Sequence, residues 1–519
     1  MLTGANLIGS IRSAEGETTF RSFDPVRNEF LPEFFFEASH EEIEKACRLA
    51  ELAAIELQFS PKAKLSRFLQ TVSEELESSK ASIIDRYILE TGLSPQRASS
   101  EFQRTVQLLI DYADFLRSEY FPECSIDLSS DSILPELRKT HLGIGPVVVF
   151  GASNFPLAYS TVGGDTVSAW VAGCPVIVKS HPMHAGTGEL VSQCIAEAVL
   201  KCGMPAGIFS NLNGKSFSVG EKLVSHPKVK AIGFTGSLRG GRAIYDLAAG
   251  RKEPIPVFAE MGSLNPVVIL DEEETKLLHQ TKLLAQSVTT DAGQFCTKPG
   301  VIFVAKQCVQ LFTQNIEKAM VEEPAYRMLH PDLLQRYNRR LDEVAAIEGV
   351  NHRRKSQTSW PLEGQIALSI TDMSTFMNNS SLHEEVFGPH VLIVGYNEVT
   401  EITSALKLLG GQLTVSVFGE EQPIQQSGLL VVISEMSGRV ILNGVPTGVV
   451  VNSSSNHGGP YPASSDSRFS AVGLESWRRF SRSVVFQNAT QDLLPEALWD
   501  HNPLGLVRKV NGKLTNHAW

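Results

Sequence analysis

What the chain lacks narrows the field before any motif is read. No two cysteines form a Cys-x-x-Cys pair; Cys47, Cys124, Cys174, Cys194, Cys202, Cys296 and Cys308 are scattered and odd in number. They read as reduced thiols, neither a disulfide framework nor a structural zinc site. A basic excess is also missing. The 46 Lys and Arg stand against 57 Asp and Glu, a net charge of −11 spread along the chain. That balance disfavours a nucleic-acid or anionic-membrane partner, while leaving room for a local basic site on a small anion. No apolar run approaches membrane-spanning length, and Met1 to Ser13 carry no basic start followed by an apolar stretch. The cytoplasm is the expected address. Internal repeats and low-complexity segments are absent as well.

What is present is a 519-residue chain, 42% hydrophobic and 20% charged, longer than one core usually organises. Two or three domains are expected. From Glu41, Ile43, Cys47, Ala50, Ala54 and Leu57 recur at helical spacing. Ser60-Pro61 and Ser94-Pro95 read as caps with first-turn prolines opening two more helices. Short continuous apolar runs then follow at 147–150, 176–179, 208–212, 230–234, 256–258 and 266–270. Helical stretches such as Thr187–Cys202 and Gly240–Ala249 lie between them, which predicts a parallel doubly wound sheet. A second α/β unit is expected over 300–304, 391–395, 413–418 and 439–443. Glu123–Lys139 reads as an extended hairpin.

Asp291–Gly300 is the stretch around which the chemistry gathers. Cys296 sits just before a Lys-Pro-Gly break, a setting that suits a loop presenting a thiol, although a lone cysteine is more often a buried small hydrophobe. Asn154 lies where the first buried strand gives way to a helix, and there a fixed amide could face a developing oxyanion or simply cap a turn. Lys179 and Pro182 follow the next strand, at the edge where open α/β sheets bind ligands. Gly236, Ser237 and Gly241 lie in a strand-to-helix turn. That turn could admit a pyrophosphate, but its Gly-x4-Gly spacing is not the usual dinucleotide fingerprint. Glu260 ends another strand, either as a general base for water or as a surface acid. Glu385 and Phe387, ahead of a further strand, could grip a ribose diol and a nicotinamide ring or be plain turn residues.

With Asn154, Lys179, Gly236, Glu260, Cys296, Glu385 and Phe387 in this order, the chain resembles an NAD(P)-dependent aldehyde dehydrogenase over roughly residues 20 to 490. The further runs Gly163-Gly164-Asp165, Asn443-Gly444-Val445-Pro446 and His457-Gly458-Gly459-Pro460 resemble most the 2-oxoglutarate semialdehyde (2,5-dioxopentanoate) dehydrogenase group, near the NADP-dependent fatty-aldehyde enzymes. The resemblance implies an α/β fold with a Rossmann-type cofactor domain (1–122 and 144–260), an α/β catalytic domain (261–448), and an oligomerisation arm with C-terminal tail (123–143 and 478–519). It implies Cys296 as nucleophile, Asn154 as oxyanion donor and Glu260 as base. It also implies Lys179 on the adenosine ribose, Ser237 on the pyrophosphate, and Glu385 with Phe387 on the nicotinamide side. Pro182 stands where NAD-preferring relatives commonly carry a glutamate, which leans toward NADP. Phe217 replaces an arginine of some NADP-preferring relatives, which leaves NAD open, and Ser263 replaces a glycine.

The expected partner is a small aldehyde, and a homodimer or homotetramer is expected; no metal is. A dicarboxylate product asks for a cation near the substrate, and Arg468 is the candidate. Two rival readings are a coenzyme A-acylating dehydrogenase, which the retained Glu260 disfavours, and a non-enzymatic reuse of the fold.

Overall fold

A computed structural model of the chain describes residues 2–58, 60–128, 135–355 and 358–518. Part of the expected 123–139 hairpin, residues 129–134, lies outside them. Two seven-stranded sheets carry the molecule, joined to a smaller five-stranded one. The first runs, edge to edge, Val257–Glu260, Ala231–Thr235, Val147–Phe150, Val176–Lys179, Phe209–Leu212, Asn6–Ile8 and Ile11–Ser13. Its first five strands are parallel, and Asn6–Ile8 adds antiparallel to Phe209–Leu212. Strands such as Val147–Val149 and Val176–Val178 are covered on both faces, so each reads as an unbroken apolar run. Asn6–Ile8 gave no such signal: it is buried but only three residues long, set in a polar stretch and second from the sheet's edge.

The second sheet runs Asn351–Arg354, Ala367–Asp372, His390–Tyr396, Val301–Ala305, Val267–Ile269, Gln412–Phe418 and Ser437–Leu442. Only Asn351–Arg354 is antiparallel in it. The chain passes from one sheet to the other between Glu260 and Val267. Ser263 stitches that crossing. Its Oγ donates to Gln412 Oε1 at 2.8 Å and accepts the Leu413 N–H at 3.1 Å.

Helices His40–Gln58, Lys62–Ser78, Lys80–Thr91 and Pro95–Leu116 form the lead-in. Ser94 caps the last of them, accepting the Arg97 N–H at 3.1 Å, with Pro95 at the first helical position. Ser60 does not cap its helix. Its Oγ donates back to the Glu56 carbonyl at 3.1 Å, and Pro61 occupies the position before Lys62. The five-stranded sheet pairs Ser481–Gln487 with Leu137–Gly143, then Ser125–Asp127, then the C-terminal strands Arg508–Val510 and Lys513–Thr515. A small core of Cys124, Ile126, Leu494, Leu498 and Leu506 lies beneath it. None of the described helices is long and apolar enough to cross a membrane.

Candidate active site

Helix Pro95–Leu116 sets the geometry of the centre from one side. Arg97 donates through Nη1 to Glu101 Oε2 at 2.7 Å and through Nε to Asp291 Oδ2 at 2.9 Å. Its guanidinium also lies 4.4 Å from the Phe155 ring centroid and 5.5 Å from that of Phe295. Glu101 turns its other oxygen to the backbone N–H groups of Leu157 and Ala158, both at 2.9 Å. One buried cluster therefore ties the Asn154 loop to the Cys296 loop. Asp291 and Ala292 hold left-handed φ of 50° and 56°, a conformation that costs free energy for both residues and persists only when neighbours impose it.

Those two loops bring together groups far apart in the chain. Asn154 Nδ2 donates to the Gln294 carbonyl at 2.8 Å; its second amide hydrogen remains for another acceptor. Among the described residues no acceptor takes the Cys296 backbone N–H. Asn265, itself left-handed with φ 47°, supports the loop from behind through Nδ2 to the Cys296 carbonyl at 2.8 Å and the Lys298 carbonyl at 3.0 Å.

His457 was not singled out from the sequence, although it heads the His457-Gly458-Gly459-Pro460 run. Its Nε2 lies 3.6 Å from Cys296 Sγ and 2.9 Å from Glu260 Oε1. Sulfur and carboxylate thus gather around one imidazole nitrogen, with His457 and Glu260 almost wholly enclosed. Burial first, then the charges of Glu260 and Glu385, push the Cys296 thiol well above the ordinary cysteine range, while Arg104 pulls it down. Glu260 Oε2 is buried without a hydrogen-bond partner. The three ligand-type atoms lie within 4.8 Å of one another, a donor set zinc would accept, but the same closeness is what proton transfer between them requires.

A cavity of about 1000 Å³ opens beside this cluster. Its walls include Asn154, Glu260 and Cys296 at one end and Lys179, Pro182, Phe217, Gly236 and Ser237 at the other, with Glu385 and Phe387 between the sheets' loops. Lys179 donates to the Gly214 carbonyl, and burial lowers its pKa to about 8 despite Glu37 nearby. Ser237 caps helix Leu238–Ala249, accepting the Gly240 N–H at 3.2 Å, which leaves that helix N-terminus facing the cavity. Gly241 packs instead of lining the wall: a Cβ there would stand 2.6 Å from Met261 Sδ. Gly262 leaves room for Glu385, whose Oε2 would be 2.3 Å from a Cβ at that position.

Glu385 Oε1 is buried and unpartnered. Burial raises this carboxyl and lowers the enclosed ammonium of Lys298, which donates to the His390 carbonyl at 2.8 Å; each charge moderates the other. An unpaired acceptor, a lysine at a strand end and a helix N-terminus around one cavity fit a dinucleotide with ribose hydroxyls and a pyrophosphate.

Arg468 is elsewhere. Its side chain is 78% exposed and held by Asp466 at 2.6 Å, and it lines none of the described cavities around the sulfur. A different arginine, Arg104, stands close by. Its Nη2 donates to the Tyr159 hydroxyl at 2.8 Å, and the Tyr159 ring centroid is 6.1 Å from that of His457.

Comparison with known proteins agrees with this geometry. The model of the "Aldehyde dehydrogenase family" matches residues 11–332. Alpha-ketoglutaric semialdehyde dehydrogenase 2 of Azospirillum brasilense is 40% identical over 99% of both chains. Alpha-ketoglutaric semialdehyde dehydrogenase of Acinetobacter baylyi is 37% identical over 99% of both. Among solved structures, a 1-pyrroline-5-carboxylate dehydrogenase superposes with a TM-score of 0.81 at 18% identity, covering 93% of this chain and 92% of that one. With its Rossmann-like sheet, its second α/β sheet and a thiol between them, the chain belongs to the aldehyde dehydrogenase family and is an NAD(P)-dependent aldehyde dehydrogenase.

Proposed function

We propose that the chain oxidises 2-oxoglutarate semialdehyde to 2-oxoglutarate, with NADP preferred over NAD. The observation that carries the chemistry is the Cys296, His457 and Glu260 cluster beside Asn154. The names of the two full-length relatives support the substrate. Pro182 on the cavity wall supports the NADP preference, since no acid at that position opposes a 2′-phosphate.

The Cys296 thiol gives its proton to His457 Nε2, whose new charge Glu260 Oε1 stabilises at 2.9 Å. The thiolate then attacks the aldehyde carbon. Sγ–C forms, the C=O π pair moves to oxygen, and the Asn154 amide and Cys296 N–H receive the oxyanion. When bound, the nicotinamide supplies the acceptor for the hydride that leaves this carbon. A thioester on Cys296 remains, and Glu260, through its unpartnered Oε2, takes a proton from water as the water oxygen attacks. The C–S bond breaks, the carboxylic acid departs, the thiolate takes its proton back from His457, and Glu260 releases its own to solvent. In this reading the first sheet holds the cofactor through Lys179 and Ser237, while Glu385 and Phe387 orient the nicotinamide side. The edge strand Ser481–Gln487 leaves one side of the five-stranded sheet open, which supports assembly into a homodimer or homotetramer through it.

Initial rates on 2-oxoglutarate semialdehyde, succinate semialdehyde and a long-chain aldehyde, each with both cofactors, test the reading. The first substrate with NADP should give the highest kcat/KM. A higher value for the long-chain aldehyde would overturn the substrate, and a product requiring coenzyme A would overturn the hydrolytic step.

A further inference from the structure

A second, smaller cavity of about 270 Å³ lies on the far side of Tyr159. Val449, Val451 and Val472 give it apolar walls, and Arg104 is its cation. Arg104 is half-buried on helix Pro95–Leu116, and among the described residues its side chain bonds to the Tyr159 hydroxyl and pairs with no carboxylate. Tyr159 takes one of its five N–H donors at 2.8 Å, and the ring lies 5.3 Å from the guanidinium carbon. Asp111, the one acid on this cavity's wall, already accepts from Gln107 Nε2 at 2.8 Å.

A half-buried guanidinium without an anion is costly to keep, and its planar fork matches a carboxylate in two parallel hydrogen bonds. Tyr159 bridges this cavity to the reacting centre, lying near His457 on one side and Arg104 on the other. A substrate whose aldehyde sits on Cys296 would therefore turn its tail past the tyrosine ring toward the arginine. We propose that this cavity is the subsite for the substrate's tail and that Arg104 binds a carboxylate there. This rests on the semialdehyde oxidation proposed above and assigns to Arg104 the recognition that the sequence suggested for Arg468. Methylenes between aldehyde and carboxylate lie along the valines, and a 2-oxo oxygen beside the carboxylate can accept a further guanidinium N–H.

The test compares wild type with Arg104→Met and Arg104→Lys on 2-oxoglutarate semialdehyde and on butanal. In Arg104→Met the ratio of kcat/KM for the charged over the neutral aldehyde should fall about 10- to 100-fold, mostly through KM, with Arg104→Lys recovering part of it. An unchanged ratio, with both aldehydes losing equally, would overturn the subsite and leave Arg104 as an influence on the thiol. Calorimetric binding of 2-oxoglutarate, which retains the tail and lacks the aldehyde, separates this inference from the dehydrogenase reading. Binding that weakens in Arg104→Met supports the subsite even if no aldehyde is oxidised; equal binding in variant and wild type refutes it.

Discussion

His457 Nε2 stands 2.9 Å from Glu260 Oε1, and that same nitrogen faces the Cys296 sulfur at 3.6 Å. The carboxylate lies near the nucleophile and opposes its ionisation, and both adjoin one group that can carry a proton. Replacing His457 by Gln keeps the volume and removes the proton carrier. Thiohemiacetal formation should then become rate-limiting, and the rise of kcat/KM with pH should move to higher pH. Stopped-flow measurement of the first turnover checks this; an unmoved profile would mean that the thiol loses its proton elsewhere.

Thiol alkylation reads the electrostatics without turnover. Burial and two carboxylates hold Cys296 protonated beyond the ordinary cysteine range, so the iodoacetamide rate should still be climbing with pH where a free cysteine has levelled. Glu260→Gln removes one of the opposing charges. The thiol's pKa falls and the rate at neutral pH should rise, even as steady turnover drops. A slower alkylation in that variant would show that Glu260 assists ionisation more than it opposes it.

Glu260→Gln should also preserve a first burst of reduced cofactor while the steady rate falls, because attack precedes hydrolysis. Loss of the burst would place the carboxylate in the first step. Cys296→Ser removes both, since an alcohol of higher pKa is a poor nucleophile at neutral pH.

Pro182→Glu tests the cofactor preference. An added carboxylate on the wall near Lys179 should raise KM for NADP more than for NAD. Equal changes would remove the argument from Pro182.

Arg97→Met breaks the cluster beneath both reactive loops. It leaves Glu101 and Asp291 without their cation, and buried pairs broken in this way typically cost about 3–5 kcal/mol. Thermal melting should register that loss, and the Asn154 and Cys296 loops should become proteolytically accessible first. A melting temperature near that of wild type would show that Tyr87, which donates to Glu101 Oε2 at 2.7 Å, and water suffice.

The central strands were legible because a strand covered on both faces must be apolar throughout, as Val147-Val148-Val149 and Val176-Ile177-Val178 are. The same physics hid others. Arg508–Val510 and Lys513–Thr515 lie at the rim of the smaller sheet, where one or both faces meet water and no apolar run is needed. Asn154, Glu260 and Cys296 could be picked out by their positions at strand and loop ends together with a family pattern. His457 could not, because a histidine in a Gly-rich run has no local feature that says which carboxylate it will meet 197 residues earlier. Arg104 and Arg468 show the same limit from opposite sides. One sits mid-helix among apolar stripe residues and turns toward the centre, while the other sits in a loop beside an aspartate and turns to solvent. Only the tertiary fold distinguishes them.

Helix Pro95–Leu116 carries Arg97, which anchors the nucleophile's loop, and Arg104, seven residues on. Seven residues of α-helix rise about 10 Å, and a rod of that kind does not stretch. On the reading developed above, the span between sulfur and waiting charge is thus cut to one length, and the enzyme gauges its aldehydes against a ruler made of backbone rather than against the give of a loop.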